Sequence, residues 1–154
     1  MNRDRREMLS DWLMLIGGPL LAVSEFMVWS HQFSAGFLIR YGATPALAGL
    51  PRDPTAWQVY SVVDVLLAVL AAGLFAVALR GARPARIAVL LGLVVALVFT
   101  LHALGAPPTK GADLYDAATG HYYPDHPSSG VGEVVALIAI ALGLGGVLLS
   151  FTAD

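Results

Sequence analysis

Apolar side chains fill four long stretches of this chain, and shorter polar segments separate them. The stretches cover residues 12–29, 57–79, 87–106 and 131–151. A helix needs roughly 20 residues to cross a hydrocarbon layer of ~30 Å, and each stretch is about that long. We therefore expect an all-α membrane protein, a bundle of four transmembrane helices that forms a single integral membrane domain over residues 1–154.

The composition favours the same interpretation. Hydrophobic residues make up 57% of the chain and charged residues only 13%, whereas an average soluble domain has ~25% charged residues. A soluble helical protein is disfavoured, because its helices are usually shorter and keep a polar face. The net charge of −2 leaves no basic surface for nucleic acid. The absence of cysteine excludes thiolate catalysis, disulfide exchange and cysteine-bound metal clusters.

Basic residues predict the orientation of the bundle. Short loops rich in arginine and lysine face the cytoplasm. Six of the nine basic residues come before the first stretch or between the second and third: Arg3, Arg5, Arg6, Arg80, Arg83 and Arg86. We therefore expect both termini to be cytoplasmic, with loops 30–56 and 107–130 outside. The expected location is the plasma membrane of a bacterium.

Three tryptophans flank the predicted spans. Tryptophan is enriched at the interface between membrane and water. Trp12 is expected to anchor the inner interface, whereas Trp29 and Trp57 are expected to anchor the outer one.

The first stretch has an alternative interpretation. A basic start, an apolar stretch and Ala22-Val23-Ser24 also fit a cleavable signal peptide. We expect the first span to be retained, because apolar residues resume after Ser24 and continue to Trp29.

Small residues indicate how the helices pack. Membrane helices associate through close contacts at Gly, Ala, Ser and Thr, because lipid is as apolar as leucine. Such residues recur in every stretch and predict the contact faces: Gly18 and Ala22, then Ala68, Ala72 and Ala76, then Ala88, Gly92, Ala96 and Thr100, and finally Ala139 and Gly143.

Each stretch also contains one ionisable residue towards its outer end. These are Glu25, Asp64, His102 and Glu133, and a rise of 1.5 Å per residue puts each roughly 7–11 Å from the midpoint of its helix. An ionisable group inside a span costs free energy and is a functional hypothesis by default. Two interpretations stay open, a structural polar clamp that fixes helix register and a proton or cation site. Glu133 also fits the wet end of its helix, where the helix dipole favours a carboxylate.

The second outer loop combines tyrosines and histidines. The segment from Asp113 to His126 has tyrosine-rich arms around a turn that ends in Gly120, a pattern that predicts a short β-hairpin. Such side chains suit a protein contact, and the candidates are Tyr115, His121, Tyr122, Tyr123 and His126. A divalent metal held by the two histidines with Asp113, Asp116 and Asp125 is the alternative. Their spacing follows no established ligand pattern, so no metal site is expected.

Residues 55–67, which read TAWQVYSVVDVLL, form the most distinctive segment. Trp57, the Tyr60-Ser61 step and Asp64 lead into a helix rich in Leu and Ala. This segment resembles the start of the second span in uncharacterised small four-span membrane proteins of actinobacterial type. Those proteins often end the first span with Pro-Trp, where this chain has Val28-Trp29. The resemblance implies a membrane topology and no activity.

No motif indicates a reaction. The sequence has no nucleophile–base pair, phosphate loop or zinc-protease motif. Haem would need paired axial histidines in the bundle, and His102 is the only embedded one. We therefore expect neither an enzyme nor a cofactor. The leading hypothesis is a structural or accessory subunit of a cell-envelope membrane complex, in contact with the lipid bilayer and with other membrane proteins or its own copies. The alternative is a small homo-oligomeric transporter coupled to protons or cations through the intramembrane acids.

Overall fold

Six helices and four very short strands form the part of the chain that the structure describes. The structure is a computed structural model, and it describes residues 3–43, 45–110, 115–116, 121–122 and 127–153. The helices are α1 (Arg3–Ser24), α2 (Ala35–Tyr41), α3 (Ala56–Val59), α4 (Val63–Arg80), α5 (Arg83–Gly105) and α6 (Val131–Ala153). The strands are β1 (Ser30–His31), β2 (Tyr115–Asp116), β3 (His121–Tyr122) and β4 (Ser128–Ser129), and a 3₁₀ turn covers Pro45–Leu47.

Three helices are long and apolar enough to cross a membrane. They cover Val63–Arg80, Arg83–Gly105 and Val131–Thr152, which agrees with the last three apolar stretches of the sequence. Helix α1 is long as well, but it is not among the three, and its first two turns are rich in charged side chains. The mostly helical fold is therefore confirmed, with three candidate membrane-spanning helices, whereas a fourth span is not confirmed.

Helix α1 packs along α6 in the opposite direction. Near the start of α1, the Ser10 hydroxyl donates a hydrogen bond of 2.8 Å to the carbonyl oxygen of Gly146, near the end of α6. Midway along, a β-carbon added to Gly17 would lie 3.1 Å from the carbonyl oxygen of Ala139. Glycines at these crossing points let the two backbones approach closely, as expected for helices that associate inside a membrane.

The other face of α1 contacts α4. A β-carbon on Gly18 would lie 2.8 Å from the carbonyl oxygen of Ala71. Helices α4, α5 and α6 meet at Gly143, where an added β-carbon would lie 3.1 Å from Leu74 and 3.2 Å from Leu93. The buried leucines at this point form the centre of the core.

The predicted contact faces are partly wrong. Gly18, Gly143 and Thr100 are buried as expected, but Ala72 and Ala76 are exposed. The buried face of α4 instead contains Asp64, Leu67, Ala71, Leu74 and Val77. The contact with Gly18 of α1 selects this face over the neighbouring alanine stripe.

Two of the predicted spans end differently from the apolar stretches. The helix of the first stretch stops at Ser24, and the second stretch divides into α3 and α4 at residues 60–62. The chain does not continue the helix beyond this point, because the backbone of the following residues pairs with distant segments. The amide of Trp29 donates to the carbonyl oxygen of Pro54 at 2.9 Å, and Val28 forms an antiparallel bridge with Thr55.

Both outer loops meet at one end of the bundle, in what we call the loop cap, residues 28–33, 51–55, 108–110 and 128–132. Strand β1 pairs antiparallel with β4, with Ser30 opposite Ser129. The amides of Gly130 and Gly132 donate to the carbonyl oxygens of Trp29 and Val28, each at 2.7 Å. These bonds tie the two loops to each other.

The predicted β-hairpin of the second loop is confirmed in its strand pairing. Strand β2 pairs antiparallel with β3, with Tyr115 opposite Tyr122 and Asp116 opposite His121. The turn that contains Gly120 lies outside the described residues.

Candidate functional site

Three buried carboxyl groups lie at the end of the bundle beneath the loop cap. Glu25 is in the turn that follows α1, Asp64 is in the first turn of α4, and Glu133 is in the first turn of α6. Their exposed fractions are 1%, 0% and 0%. Glu133 is therefore not at a wet helix end, and that prediction was wrong. The last residue before α6, Gly130, is covered by Val28 and Trp29 of the loop cap, which closes this end to water.

Most oxygens of these carboxyl groups have no hydrogen-bond partner among the described residues. This applies to Oε1 of Glu25, to both oxygens of Asp64 and to both oxygens of Glu133. Buried polar groups in proteins are nearly always hydrogen-bonded, and an orphaned one costs ~1–3 kcal/mol or more when it is charged. The buried polar side chains of the described chain include no lysine, arginine or histidine. The described residues therefore include no buried cationic side chain that could balance the negative charge of these acids.

The three acids are linked by electrostatic contact. Glu25 and Asp64 are close enough for their charges to interact, and Tyr60 interacts with both Asp64 and Glu133. Tyr60 lies in the short segment between α3 and α4, outside the membrane-spanning helices. Burial, followed by the negative charges of Glu133 and Asp64, raises the pKa of its phenol to about 12. The hydroxyl group of Tyr60 therefore keeps its proton at neutral pH and is able to donate a hydrogen bond to a carboxylate.

Aromatic rings form one wall of the site. The rings of Trp29 and Tyr60 meet edge to face with centroids 5.8 Å apart, and Tyr60 meets Phe99 of α5 in the same way at 5.0 Å. The Trp29 indole nitrogen donates to the carbonyl oxygen of Ser24 at 2.7 Å, which satisfies one of the free carbonyl groups at the end of α1. This wall holds Tyr60 in place beside the acids and excludes water from them.

Helix ends differ in how they affect the three acids. The N-terminal end of a helix favours negative charge, and the C-terminal end disfavours it. Asp64 and Glu133 lie in first turns, whereas Glu25 follows the last turn of α1. The fields of α4 and α6 therefore partly compensate the charge of Asp64 and Glu133, and that of α1 opposes the charge of Glu25.

His102 does not belong to the site. It is exposed on the outer face of α5, so the predicted layer of four ionisable groups reduces to three. The buried face of α5 is formed by Leu93, Ala96, Thr100 and Ala103, and the Thr100 hydroxyl bonds to the carbonyl oxygen of Ala96 at 2.8 Å. The turn of the helix places His102 away from these residues.

Two serines that are close to the acids in the sequence, Ser24 and Ser61, do not bond to them in the part of the chain that is described. The Ser24 hydroxyl donates to the carbonyl oxygen of Leu21 at 2.6 Å, and Ser61 is exposed. Of the polar side chains considered in the sequence, Tyr60 alone is brought to the acids within the described part of the chain.

The tryptophans do not share the role that the sequence predicts. Trp12 and Trp57 are 58% and 43% exposed, as expected for interface anchors, and Trp57 stacks on Phe26 with centroids 5.9 Å apart. Trp29 is 0% exposed, so its prediction as an interface anchor was wrong. It is the central side chain of the loop cap instead.

Gln32 is a residue that the sequence analysis missed. It is fully buried, its side-chain nitrogen donates to the carbonyl oxygen of Pro51, and its side-chain oxygen accepts from the amide of Lys110. The backbone amide of Gln32 also donates to the carbonyl oxygen of Arg52 at 3.0 Å. A single glutamine in a loop gives no periodic signal, so only the folded chain reveals that it joins both loops.

The contact candidates in the second loop remain predictions. Tyr123 and His126 lie outside the described residues, as do Asp113 and Asp125, and for Tyr115, His121 and Tyr122 only the backbone pairing is described. Among the described residues, no three His, Cys, Asp or Glu side chains are grouped so that they could hold a metal ion.

An apolar groove separates α4 from α5. It has a volume of about 570 Å³ and is lined by Leu66, Leu70, Gly73, Gly92 and Val95, among others. It also reaches Val63 and Phe99, next to the wall of the acid site.

Comparison with protein-family models, with curated proteins and with solved structures found no match to this chain.

Proposed function

We propose that this chain is a four-span integral membrane protein in which α1 is the additional span. The outward face of α1 is apolar: Trp12, Ile16 and Val23 are 58%, 51% and 55% exposed. A continuous apolar face of this kind needs cover by lipid or protein. Helix α1 also lies antiparallel to α6, which is itself long and apolar enough to cross. If lipid surrounds α6, it therefore also surrounds the outward face of α1.

The proposed orientation has both termini in the cytoplasm of a bacterium and the loop cap outside. The antiparallel contacts put the start of α1, the turn between α4 and α5 and the end of α6 at one end of the bundle. Arg86 and Ser150 meet there, with the guanidinium donating to the Ser150 carbonyl oxygen at 3.4 Å. Arginines at this end agree with the positive-inside rule.

Within this topology, we propose a non-enzymatic role as a structural or accessory subunit of a cell-envelope membrane complex. The observation that carries the proposal is the loop cap, which is cross-linked by hydrogen bonds from both loops. A surface that is already ordered loses little entropy on binding a partner. At the other end of the bundle, the loop that the structure describes is the short turn of residues 81–82 between α4 and α5.

Helix α2 supplies an exposed apolar side chain on this face. Its N-terminal Ser34 hydroxyl accepts from the amide of Phe37 at 3.2 Å, and the Phe33 and Phe37 rings stack with centroids 5.4 Å apart. Ile39 on the same helix is 88% exposed. We propose that Ile39 contacts a partner membrane protein.

The test is purification of the full chain from native membranes in mild detergent, with mass spectrometry of the co-eluting proteins. We expect a stoichiometric partner that is lost in Ile39→Arg and retained in Ala82→Arg, the same kind of change at an exposed residue in the turn between α4 and α5. A single species that contains only this chain would overturn the accessory role.

Transport coupled to protons or cations is the second candidate, and the buried acids favour it. Acidic side chains inside a bundle mark ion pathways in many membrane proteins. Reconstituted liposomes would then show a pH-driven flux that disappears in Asp64→Asn. The absence of flux with the unmodified protein would exclude this candidate.

The resemblance to actinobacterial four-span proteins also remains a proposal. It is compatible with either function, because it implies topology alone.

A further inference from the structure

The burial of the three acids bears on their protonation state, whether or not the protein has the accessory role. Five of their oxygens are buried and without a hydrogen-bond partner among the described residues. Removal of an ionised carboxylate from water costs several kcal/mol unless a cation or hydrogen-bond donors compensate it. No buried lysine, arginine or histidine of the described chain supplies that compensation. Tyr60 is not bonded to any of these five oxygens, so the donor must be a proton that the acids themselves hold.

We propose that Glu25 and Asp64 form a buried proton-binding pair, in which one carboxyl group donates a hydrogen bond to the other. Each of them is at most 1% exposed. Gly18 of α1 and Ala71 of α4 meet where these antiparallel helices pack, and Glu25 and Asp64 each lie seven residues, about two turns, from that contact towards the loop cap. A shared proton converts two unpartnered acceptors into a donor and an acceptor, and it removes one of two like charges.

The surroundings of the pair favour this assignment over an ion pair. The turn after α1 contributes Glu25 itself, α4 contributes Asp64, and α6 contributes Glu133. The ring of Phe99 from α5 and the segment with Tyr60 complete the surroundings. The basic residues of the two long loops that are described, Arg40, Arg52 and Lys110, are exposed, as are His31 and His102.

Glu133 differs from Glu25 in its helix end. It lies in the first turn of α6, where the N-terminal end of the helix favours a negative charge. Glu25, which follows the C-terminal end of α1, is the member of the pair that binds the proton.

A proton suits this geometry better than a metal ion. A proton needs only two facing oxygens, whereas cations such as calcium need six to eight. The described residues contain no group of three acidic or histidine side chains arranged for a metal. The loop cap also closes the site, so proton exchange requires opening at Trp29 or the neighbouring glycines.

Infrared spectroscopy of the full chain in lipid nanodiscs tests the proposal. At neutral pH we expect a carbonyl stretch from a protonated carboxyl group that shifts in D₂O and disappears at alkaline pH. Glu25→Gln and Asp64→Asn should each remove it, and the double variant should lose no more than either single variant. Asp53→Asn is the matched control, because Asp53 is an exposed acid that pairs with His31 at 2.5 Å. Its substitution should leave the band unchanged.

Isotope labelling keeps the test valid if a variant fails to fold. The sequence has three glutamates, Glu7, Glu25 and Glu133, so ¹³C-glutamate in the unmodified protein should shift the band. A band that moves only with ¹³C-aspartate would overturn the assignment to Glu25. The absence of any protonated carboxyl band at neutral pH, or a band that survives both single substitutions, would overturn the proton-binding pair. None of these outcomes depends on whether a partner protein co-purifies.

Discussion

The indole ring of Trp29 lies directly against the backbone of Gly132. A β-carbon on Gly132 would be 2.5 Å from Cδ1 of the ring and 2.9 Å from its nitrogen. The contact joins the loop that follows α1 to the first turn of α6, one residue before the buried Glu133. It explains why a large side chain in a loop is completely buried, and it connects the loop cap to the acids below it.

Gly132→Ala should destabilise the protein. The added methyl group would displace Trp29 or shift the start of α6, and overpacking of this kind costs ~1–3 kcal/mol. Thermal unfolding in detergent measures the effect. Gly105→Ala is the control, because a β-carbon at Gly105 would meet nothing within 4 Å. Equal unfolding temperatures for the two variants would contradict the close contact with Trp29.

Gly146→Ala should weaken the contact between α1 and α6, whereas its neighbour Gly145→Ala should not. A β-carbon on Gly146 would lie 2.7 Å from Cγ of Met14 and 2.9 Å from the carbonyl oxygen of Ser10. On Gly145 the closest atom would be 3.8 Å away, an ordinary contact. We expect a loss of ~1–3 kcal/mol for the first variant only. Unfolding in a denaturing detergent gives the difference, and the reverse order would contradict the packing described for α1.

Cysteine labelling should place the start of α1 on the same side of the membrane as the turn between α4 and α5. The chain has no cysteine, so a single cysteine substitution gives each variant one labelling site. In intact cells, an impermeant maleimide should label Arg52→Cys and Ser129→Cys in the outer loops. Asp4→Cys and Ala82→Cys should react only after permeabilisation. Labelling of Asp4→Cys together with Arg52→Cys would show that α1 does not cross.

High pH should destabilise the protein through Tyr60. The folded state raises the pKa of this phenol from 10.0 to about 12. Between these values the folded protein keeps a proton that the unfolded chain has lost, so stability falls as the pH rises through this window. Below it the full contribution is present. Unfolding temperatures measured as a function of pH should decline less steeply in Tyr60→Phe, and an unchanged slope would exclude Tyr60 as the cause.

The sequence predicted the long helices and the end of the bundle at which the acids lie. Uninterrupted apolar stretches produce α4, α5 and α6, because backbone groups in lipid must bond within the same helix. The rise per residue also put Glu25, Asp64 and Glu133 at one end. These features depend on local composition and spacing, which a single chain displays directly.

Helix faces were harder to predict. Ala68, Ala72 and Ala76 form as good a small-residue stripe as the face that contains Ala71, and most of α4 is apolar. Since lipid and core are equally apolar, hydropathy does not distinguish the two faces. His102 was placed in the site by its depth in the span, although it lies on a different face of its helix from the small residues Ala96 and Thr100, which are the ones buried.

The sequence by itself determined the apolar character of the chain, the approximate positions of its long helices and the single acid towards one end of three of its apolar stretches. Only the tertiary structure decided that α1 ends at Ser24, that Trp29 and Gln32 join the two loops, and that Tyr60 lies beside the acids. The physical reason is sequence distance. The partners of the segment around Trp29 are at Pro54 and Gly130, and contacts between such distant residues exist only once the bundle has formed.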